Sequence, residues 1–159
     1  MVNETVGAVP PPGTETGPVL ALQNVYLKDC SYEAPSGPRL DGNWNPQINL
    51  DLHTAATGLS PELTEVVLTV TVSAKQNVAT IFLVEVKQAG IFLLKNLSEI
   101  DAKRAVSSVC PTVLFPYARA AVSYLVTQGG FPQFLLPPVN FDALYAANQG
   151  QGQQPQVTN

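Results

Sequence analysis

The side chains able to do chemistry are few and scattered. The chain has 159 residues with one histidine, His53, and two cysteines, Cys30 and Cys110. A histidine base needs a nucleophile beside it and an orienting group behind it. Asp51 precedes His53 by two residues and shares its face of an extended strand. With Cys30 or Cys110 as nucleophile, that pair would make a small thiol enzyme or ligand carrier. A solvated histidine on the wet face of a strand fits the same spacing and is the simpler reading. Two distant cysteines supply neither a disulfide framework nor the paired spacing of a zinc site, so both read as buried free thiols. Gly129-Gly130 lacks the Lys-Ser/Thr of a phosphate loop. The expectation is a protein that is not an enzyme, with no metal and no cofactor.

A second group is acidic. Residues of equal parity in a strand share a face, so Asp29 and Glu33 lie together, and so do Leu83 and Glu85. The last two oppose Phe82, Val84 and Val86, which read as core or subunit contact. Acids on strands are usually just solvated. Leu83 is the exception that suggests a docking surface, since it is an apolar side chain facing water beside acids.

The elements that must position these groups come as strands first and helices after. Val19 to Glu33 is long and rich in β-formers. Ile48, Leu50 and Leu52 alternate with Asn49, Asp51 and His53, the pattern of a half-buried strand. Residues 65–74 alternate clearly, Lys75-Gln76-Asn77 reads as a turn, and residues 78–86 complete a hairpin. Asp101 can cap a short helix to Val109, which Pro111 interrupts or restarts. Leu114, Ala118, Ala121, Val122 and Leu125 then recur at helical spacing as far as Gln128. Pro116 should kink this helix or mark its true start, and Gly129-Gly130 stops it. Residues 131–139 are apolar yet too rich in proline for helix or central strand. Asn140 caps a last short helix, residues 141–147. The order predicts an α+β fold with an antiparallel sheet. Residues 1–18 read as a disordered Pro/Gly-rich arm, 19–147 as the domain, and 148–159 as a flexible Gln-rich tail.

Apolar residues make up 45% of the chain and charged ones only 13%, against roughly a quarter in an ordinary soluble domain. Part of the surface should therefore be hidden in an oligomer or kept apolar for a partner. A net charge of −4 without a basic stripe argues against nucleic acid. No unbroken apolar segment reaches the length of a membrane span, and the N-terminus lacks the pattern of a secretory signal. The expectation is a cytoplasmic protein without direct membrane insertion.

Several stretches together resemble the bacterial export chaperone SecB family, over about residues 20–146. They include Val25-Tyr26-Leu27-Lys28-Asp29, Ser31-Tyr32-Glu33-Ala34-Pro35, Trp44 with Leu50-Asp51-Leu52, and Phe82-Leu83 with Glu85-Val86. The most specific are Cys110-Pro111-Thr112-Val113-Leu114-Phe115-Pro116-Tyr117-Ala118-Arg119 and Phe131-Pro132-Gln133 leading to Pro138-Val139-Asn140-Phe141-Asp142-Ala143-Leu144. The resemblance implies a four-stranded antiparallel sheet with one long and one short helix, assembled as a homotetramer, a dimer of dimers. It implies a nucleotide-independent chaperone that holds unfolded precursor proteins in apolar grooves and delivers them to the motor SecA. Asp29, Glu33, Leu83 and Glu85 match the family's SecA-binding positions. Phe131, Phe134, Leu135, Leu136 and Val139 are the groove candidates. Val84, Val86, Leu114, Ala118, Val122 and Leu125 are the subunit-interface candidates. The chain departs from the family in its uncharged tail and in Lys75, Lys87 and Lys95 around the hairpin. A SecB-like chaperone for one stress or toxin-control partner is the other reading of the same resemblance.

Overall fold

The computed structural model describes residues 16–38 and 43–151. Most of the arm and the end of the tail read from the sequence lie outside the described residues. Four strands come first: β1 (Val19–Glu33), β2 (Gln47–Gly58), β3 (Leu63–Gln76) and β4 (Ala79–Lys95). They form one antiparallel sheet in the order β1-β4-β3-β2. Helices α1 (Glu99–Arg104), α2 (Cys110–Gln128) and α3 (Phe141–Gln151) follow, with a π-helical turn, Ala105–Val109, joining the first two. The expected α+β architecture is present.

Alternation in the two central strands decides which face is buried. Val66, Leu68, Val70 and Val72 on β3, with Phe82, Val84, Val86 and Phe92 on β4, are sealed from water. Leu114, Ala118, Val122 and Val126, spaced by four on α2, are sealed as well and belong to the same core cluster. Burial of each larger side chain contributes about 1.5–3 kcal/mol. This corrects the subunit-interface expectation for Val84, Val86, Leu114, Ala118 and Val122. They fill the space between helix and sheet of one chain, leaving no atom for a neighbour. Leu125 is partly buried against the same cluster. Gly90 allows the close approach, since a Cβ there would sit 2.9 Å from a Leu114 methyl and 2.8 Å from the Phe92 ring.

Helix α1 starts at Ser98, whose hydroxyl accepts the Asp101 N–H at 3.1 Å. Ser98 is the cap and Asp101 its third-position partner, so the cap read at Asp101 moves three residues back. Pro111 neither interrupts nor restarts the helix. In the preceding turn the Cys110 N–H reaches the Ala105 carbonyl, five residues back. This widened turn accommodates a proline ring that would otherwise press on a carbonyl of the preceding turn. Residues 99–128 therefore run as one helix of 30 residues, long and apolar enough by length and composition to cross a membrane. No unbroken apolar run spans it, because Glu99, Asp101, Lys103 and Arg104 occupy its first turns. The apolar side of α2 packs instead on β3 and β4.

Helix α2 stops at Gly129-Gly130. Gly130 takes φ 82°, and its N–H reaches the Thr127 carbonyl at 3.0 Å. Gly129 is needed for another reason. A Cβ at this position would overlap the Tyr32 hydroxyl, which is buried without a hydrogen-bond partner among the described residues. Asn140 caps α3 as expected, its Oδ1 accepting the Ala143 N–H at 3.0 Å. The Ser108 hydroxyl donates to Asp142 at 2.7 Å, tying α3 to the π turn. That bond, assisted by Arg104, holds the Asp142 carboxyl below its usual range. A depressed carboxyl stabilises the fold above its unfolded pKa and loses that contribution as pH falls through the folded value. Helix α3 continues to Gln151, four residues beyond the end expected at residue 147. Asn148-Gln149-Gly150-Gln151 contains no breaker stronger than one glycine, about 1 kcal/mol less favourable than alanine.

Gly129→Ala should destabilise the fold by about 2 kcal/mol or more, measured by urea unfolding. In a Tyr32→Leu background the added loss should be much smaller, because the atom it collides with is gone. Equal losses in both backgrounds would show that the two positions do not touch.

Candidate functional site

The outer face of the sheet carries the acidic residues. Pairing register places side chains in rows across the strands. One row runs Glu33, Leu83, Ser73, Asn49; the next Ser31, Glu85, Thr71, Asp51; the third Asp29, Lys87, Thr69, His53. Asp29, Glu33, Leu83 and Glu85 therefore share two neighbouring strands and one face. Leu83 is 37% exposed, as its parity required. Asp51 is a fourth carboxylate on this face, which the sequence reading had considered only as a partner for His53. Its signal was available, since Asp51 has the outward parity of β2. A bulge between Leu27 and Asp29 lets Tyr26, Lys28 and Asp29 all face outward despite their mixed parity.

Lys87 interrupts the acids. It stands opposite Asp29, and its ammonium lies 3.9 Å from the Glu85 carboxylate, with both side chains about two-fifths exposed. A pair that open is worth about 1 kcal/mol at most. The next acid down the face is already engaged. Glu65 takes Lys28 at 2.6 Å and a hydrogen bond from the Tyr26 hydroxyl, and those two contacts hold its carboxyl below the usual range. Asp29, Glu33, Asp51 and Glu85 thus supply the accessible negative charge.

The opposite side carries apolar surface of two kinds. At the hairpin end, Trp44 stacks on Phe131 with centroids 5.6 Å apart, and Phe82 meets Phe131 at 5.4 Å and Phe134 at 6.4 Å. Phe131 and Leu136 are buried and Phe134 and Val139 pack half-buried on the core, while Leu135 is exposed. Of the groove candidates, Phe131 and Leu136 are therefore core residues of this chain. Leu135 and the exposed edge of Trp44 remain accessible. Below them, a cleft of about 580 Å3 opens between β2, the π turn and α3, with Leu52, Val106, Phe141, Leu144 and Tyr145 among its walls. The sequence reading missed this cleft, because its walls come from three separated segments.

The thiol–histidine constellation is not assembled. Cys30 pairs with Val86 on β1, at one edge of the sheet, and His53 with Thr69 on β2, at the other. Three strand spacings, roughly 14 Å, separate them, and their side chains leave by opposite faces. Cys110 is in the core, where burial pushes its thiol up to about 12. Cys30 is exposed rather than buried as expected; edge strand β1 runs past the helix that covers its neighbours. Among the described residues no group of three metal-ligating side chains occurs. Iodoacetamide at pH 8 should label Cys30 in the folded protein and reach Cys110 only on unfolding, as read by peptide mass spectrometry. Native labelling of Cys110 would contradict the packing described.

Comparison with known proteins agrees with this geometry. The family model described as preprotein translocase subunit SecB matches residues 13–152. A protein-export protein SecB of Pseudomonas fluorescens is 48% identical over 133 residues, covering 83% of this chain and 84% of that one. One of Hahella chejuensis is 46% identical over 130 residues, 81% and 82% of the two chains. Among solved structures, a SecB-like chaperone of Mycobacterium tuberculosis, in complex with a ChAD peptide from the HigA1 antitoxin, superposes with a TM-score of 0.66 at 15% identity. It covers 76% of this chain and 90% of that one. A family model spanning most of the chain and relatives sharing nearly half its residues lead to one conclusion: the chain belongs to the SecB family of preprotein-export chaperones.

Proposed function

We propose that this chain holds unfolded preproteins without nucleotide in the cytoplasm and hands them to the motor SecA, working as a homotetramer. The observation that carries the reading is the division of labour between the two sides of one sheet. An acid-rimmed Leu83 faces outward. Exposed aromatic and aliphatic surface and an open cleft lie on the helix side. Unfolded chains offer scattered apolar side chains, and several weak contacts along one chain add through effective concentration. A basic SecA module would be drawn to Asp29, Glu33, Asp51 and Glu85, with Leu83 as the desolvated centre where truncation costs most. Lys87 would weaken that attraction.

The tetramer needs a surface other than the one first considered. Val109, the last residue of the π turn, and Tyr117 and Tyr124 of α2 are all substantially exposed. Their spacing of eight and seven residues puts them along one stripe of the helix. This stripe supports self-association. The antitoxin peptide held by the Mycobacterium tuberculosis neighbour favours a second reading, a dedicated toxin-control partner. Identity of 48% to an export protein against 15% to that neighbour supports general export. A pull-down that returns SecA and many precursors, rather than one partner, separates the two.

Asp29→Lys with Glu85→Lys should weaken SecA binding by about 10-fold or more at low salt, and Leu83→Arg should do the same. Client binding should stay near wild type in both. Removing residues 152–159 should change SecA affinity little, because they carry no charged side chain. Calorimetric titration at two salt concentrations, beside a client-aggregation assay, measures all three variants. Loss of client binding in the charge-reversal variant would disprove the assignment of the outer face to SecA.

Tyr117→Asp with Tyr124→Asp should convert the tetramer to smaller species in light scattering, since buried unpaired charge costs several kcal/mol. A monomeric unmodified protein would refute the assembly.

A further inference from the structure

Two side chains of opposite charge stand next to each other on β1. Consecutive strand residues normally leave by opposite faces, which would keep Lys28 and Asp29 apart. The bulge between Leu27 and Asp29 turns both outward instead. A lysine ammonium on its flexible four-carbon stem can reach a carboxylate on the next residue of the same face. It does not do so here. The Lys28 ammonium lies 2.6 Å from Glu65 on β3, diagonally across β4. Asp29 makes no ion pair among the described residues. Glu65 stands in the row of Ile91 and Asp29 in the row of Lys87, four residues along β4 and about 13 Å away. Ala89 lies between, opposite Tyr26 and Val67. It is sealed from water on a face that no helix covers among the described residues. Its single methyl group lets Tyr26 cross β4 and donate its hydroxyl to the same Glu65 carboxylate. The Lys28 and Tyr26 contacts both favour the ionised form of Glu65. The Glu65 side chain is only 13% exposed, against 40% for Glu85, so it offers little to a partner itself.

We propose that Glu65 is a positioning residue for SecA docking: by holding Lys28 it keeps an ammonium off Asp29 and leaves the patch of Asp29, Glu33 and Glu85 its negative charge. The inference rests on the outer face being the SecA-docking surface. Without Glu65 the Lys28 ammonium is free to turn to its sequence neighbour. Asp29 would then offer a basic partner a neutral pair in place of an anion, and encounter with that partner would slow. Glu65 acts through Lys28 and touches no partner. The effect is modest, because Lys28 and Asp29 stay in contact with water, and salt screens it.

The test titrates the full chain with SecA by calorimetry at low and moderate salt. Glu65→Gln keeps an acceptor for Tyr26 and releases Lys28, and it should weaken SecA binding about 3-fold at low salt. Adding Lys28→Gln to that variant should restore the unmodified affinity. Adding Lys95→Gln instead gives the same net charge and should restore nothing. Lys95 lies eight residues along β4 from Lys87, about 27 Å, well beyond the Debye length of about 10 Å at 0.1 M salt. Tyr26→Phe removes the hydroxyl bond and keeps the ion pair, so its SecA affinity should match that of the unmodified protein. Equal rescue by Lys95→Gln would reduce the effect to net charge and overturn the inference. Weak binding by Tyr26→Phe, with no rescue by Lys28→Gln, would leave Glu65 a purely structural role and overturn it too. Unmodified affinity in Glu65→Gln, while Leu83→Arg still weakens binding, would overturn the inference and spare the docking surface. If Leu83→Arg leaves SecA binding intact, the docking reading itself fails.

Discussion

Everything in this fold follows from α2 lying across one face of the two central strands. Val84 and Val86 meet Leu114, Ala118 and Val122 in a layer with no exposed atom, so one face of the sheet is spent on stability. Because α2 rests on β4 and β3 and makes little contact with β1 or β2, the edge strands keep uncovered surface on the same side. Among the described residues the opposite face receives no helix and is covered by its own side chains. Thr, Ser, Lys and acidic residues do this around Leu83. A single packing decision thus leaves two uncovered surfaces and keeps them a sheet thickness apart.

The two ends of the helical segment hold the open surfaces in place. At one end Gly129 leaves room for Tyr32, and Phe131 follows directly into the aromatic group under Trp44. Proline then fixes residues 131–139 as an extended strap whose anchors, Phe131 and Leu136, are buried while Leu135 stays out. At the other end, the Ser108–Asp142 hydrogen bond and the Phe115–Phe141 contact at 5.8 Å seat α3 over the π turn. This seating forms the walls of the cleft. Helix α3 is held by few contacts, and it is the element whose movement would widen or close that cleft.

Much of this was legible in the sequence, for reasons that can be stated residue by residue. Strand periodicity is a local property, so the β3–β4 hairpin, the outward Leu83 and the sharing of a face by Asp29 and Glu33 could be read directly. The Asn140 cap and the Gly129-Gly130 stop were equally local. What failed depended on partners distant in the chain. Parity shows that Val84 and Val86 are buried but not whether the cover is the chain's own helix or a second subunit, and the choice went the wrong way. Pro111 is a breaker in a regular helix, and only a π turn before it lets the helix pass. The cleft was invisible because Leu52, Val106 and Leu144 belong to segments that meet only in the folded chain. Asp51 was noticed for the wrong partner, since its closeness to His53 in sequence masked its place in the row of Glu85.

The central claim is that clients and the basic SecA module occupy opposite sides of one sheet. Methyl-detected NMR on the full chain tests it directly, with the isolated module and an unfolded preprotein segment added separately and then together. The account predicts that the module shifts Leu83 and leaves Leu135 and Leu144 unmoved, that the segment does the reverse, and that both sets of shifts persist in one ternary complex. Displacement of the segment by the module, or shifts of Leu83 on client binding alone, would contradict it.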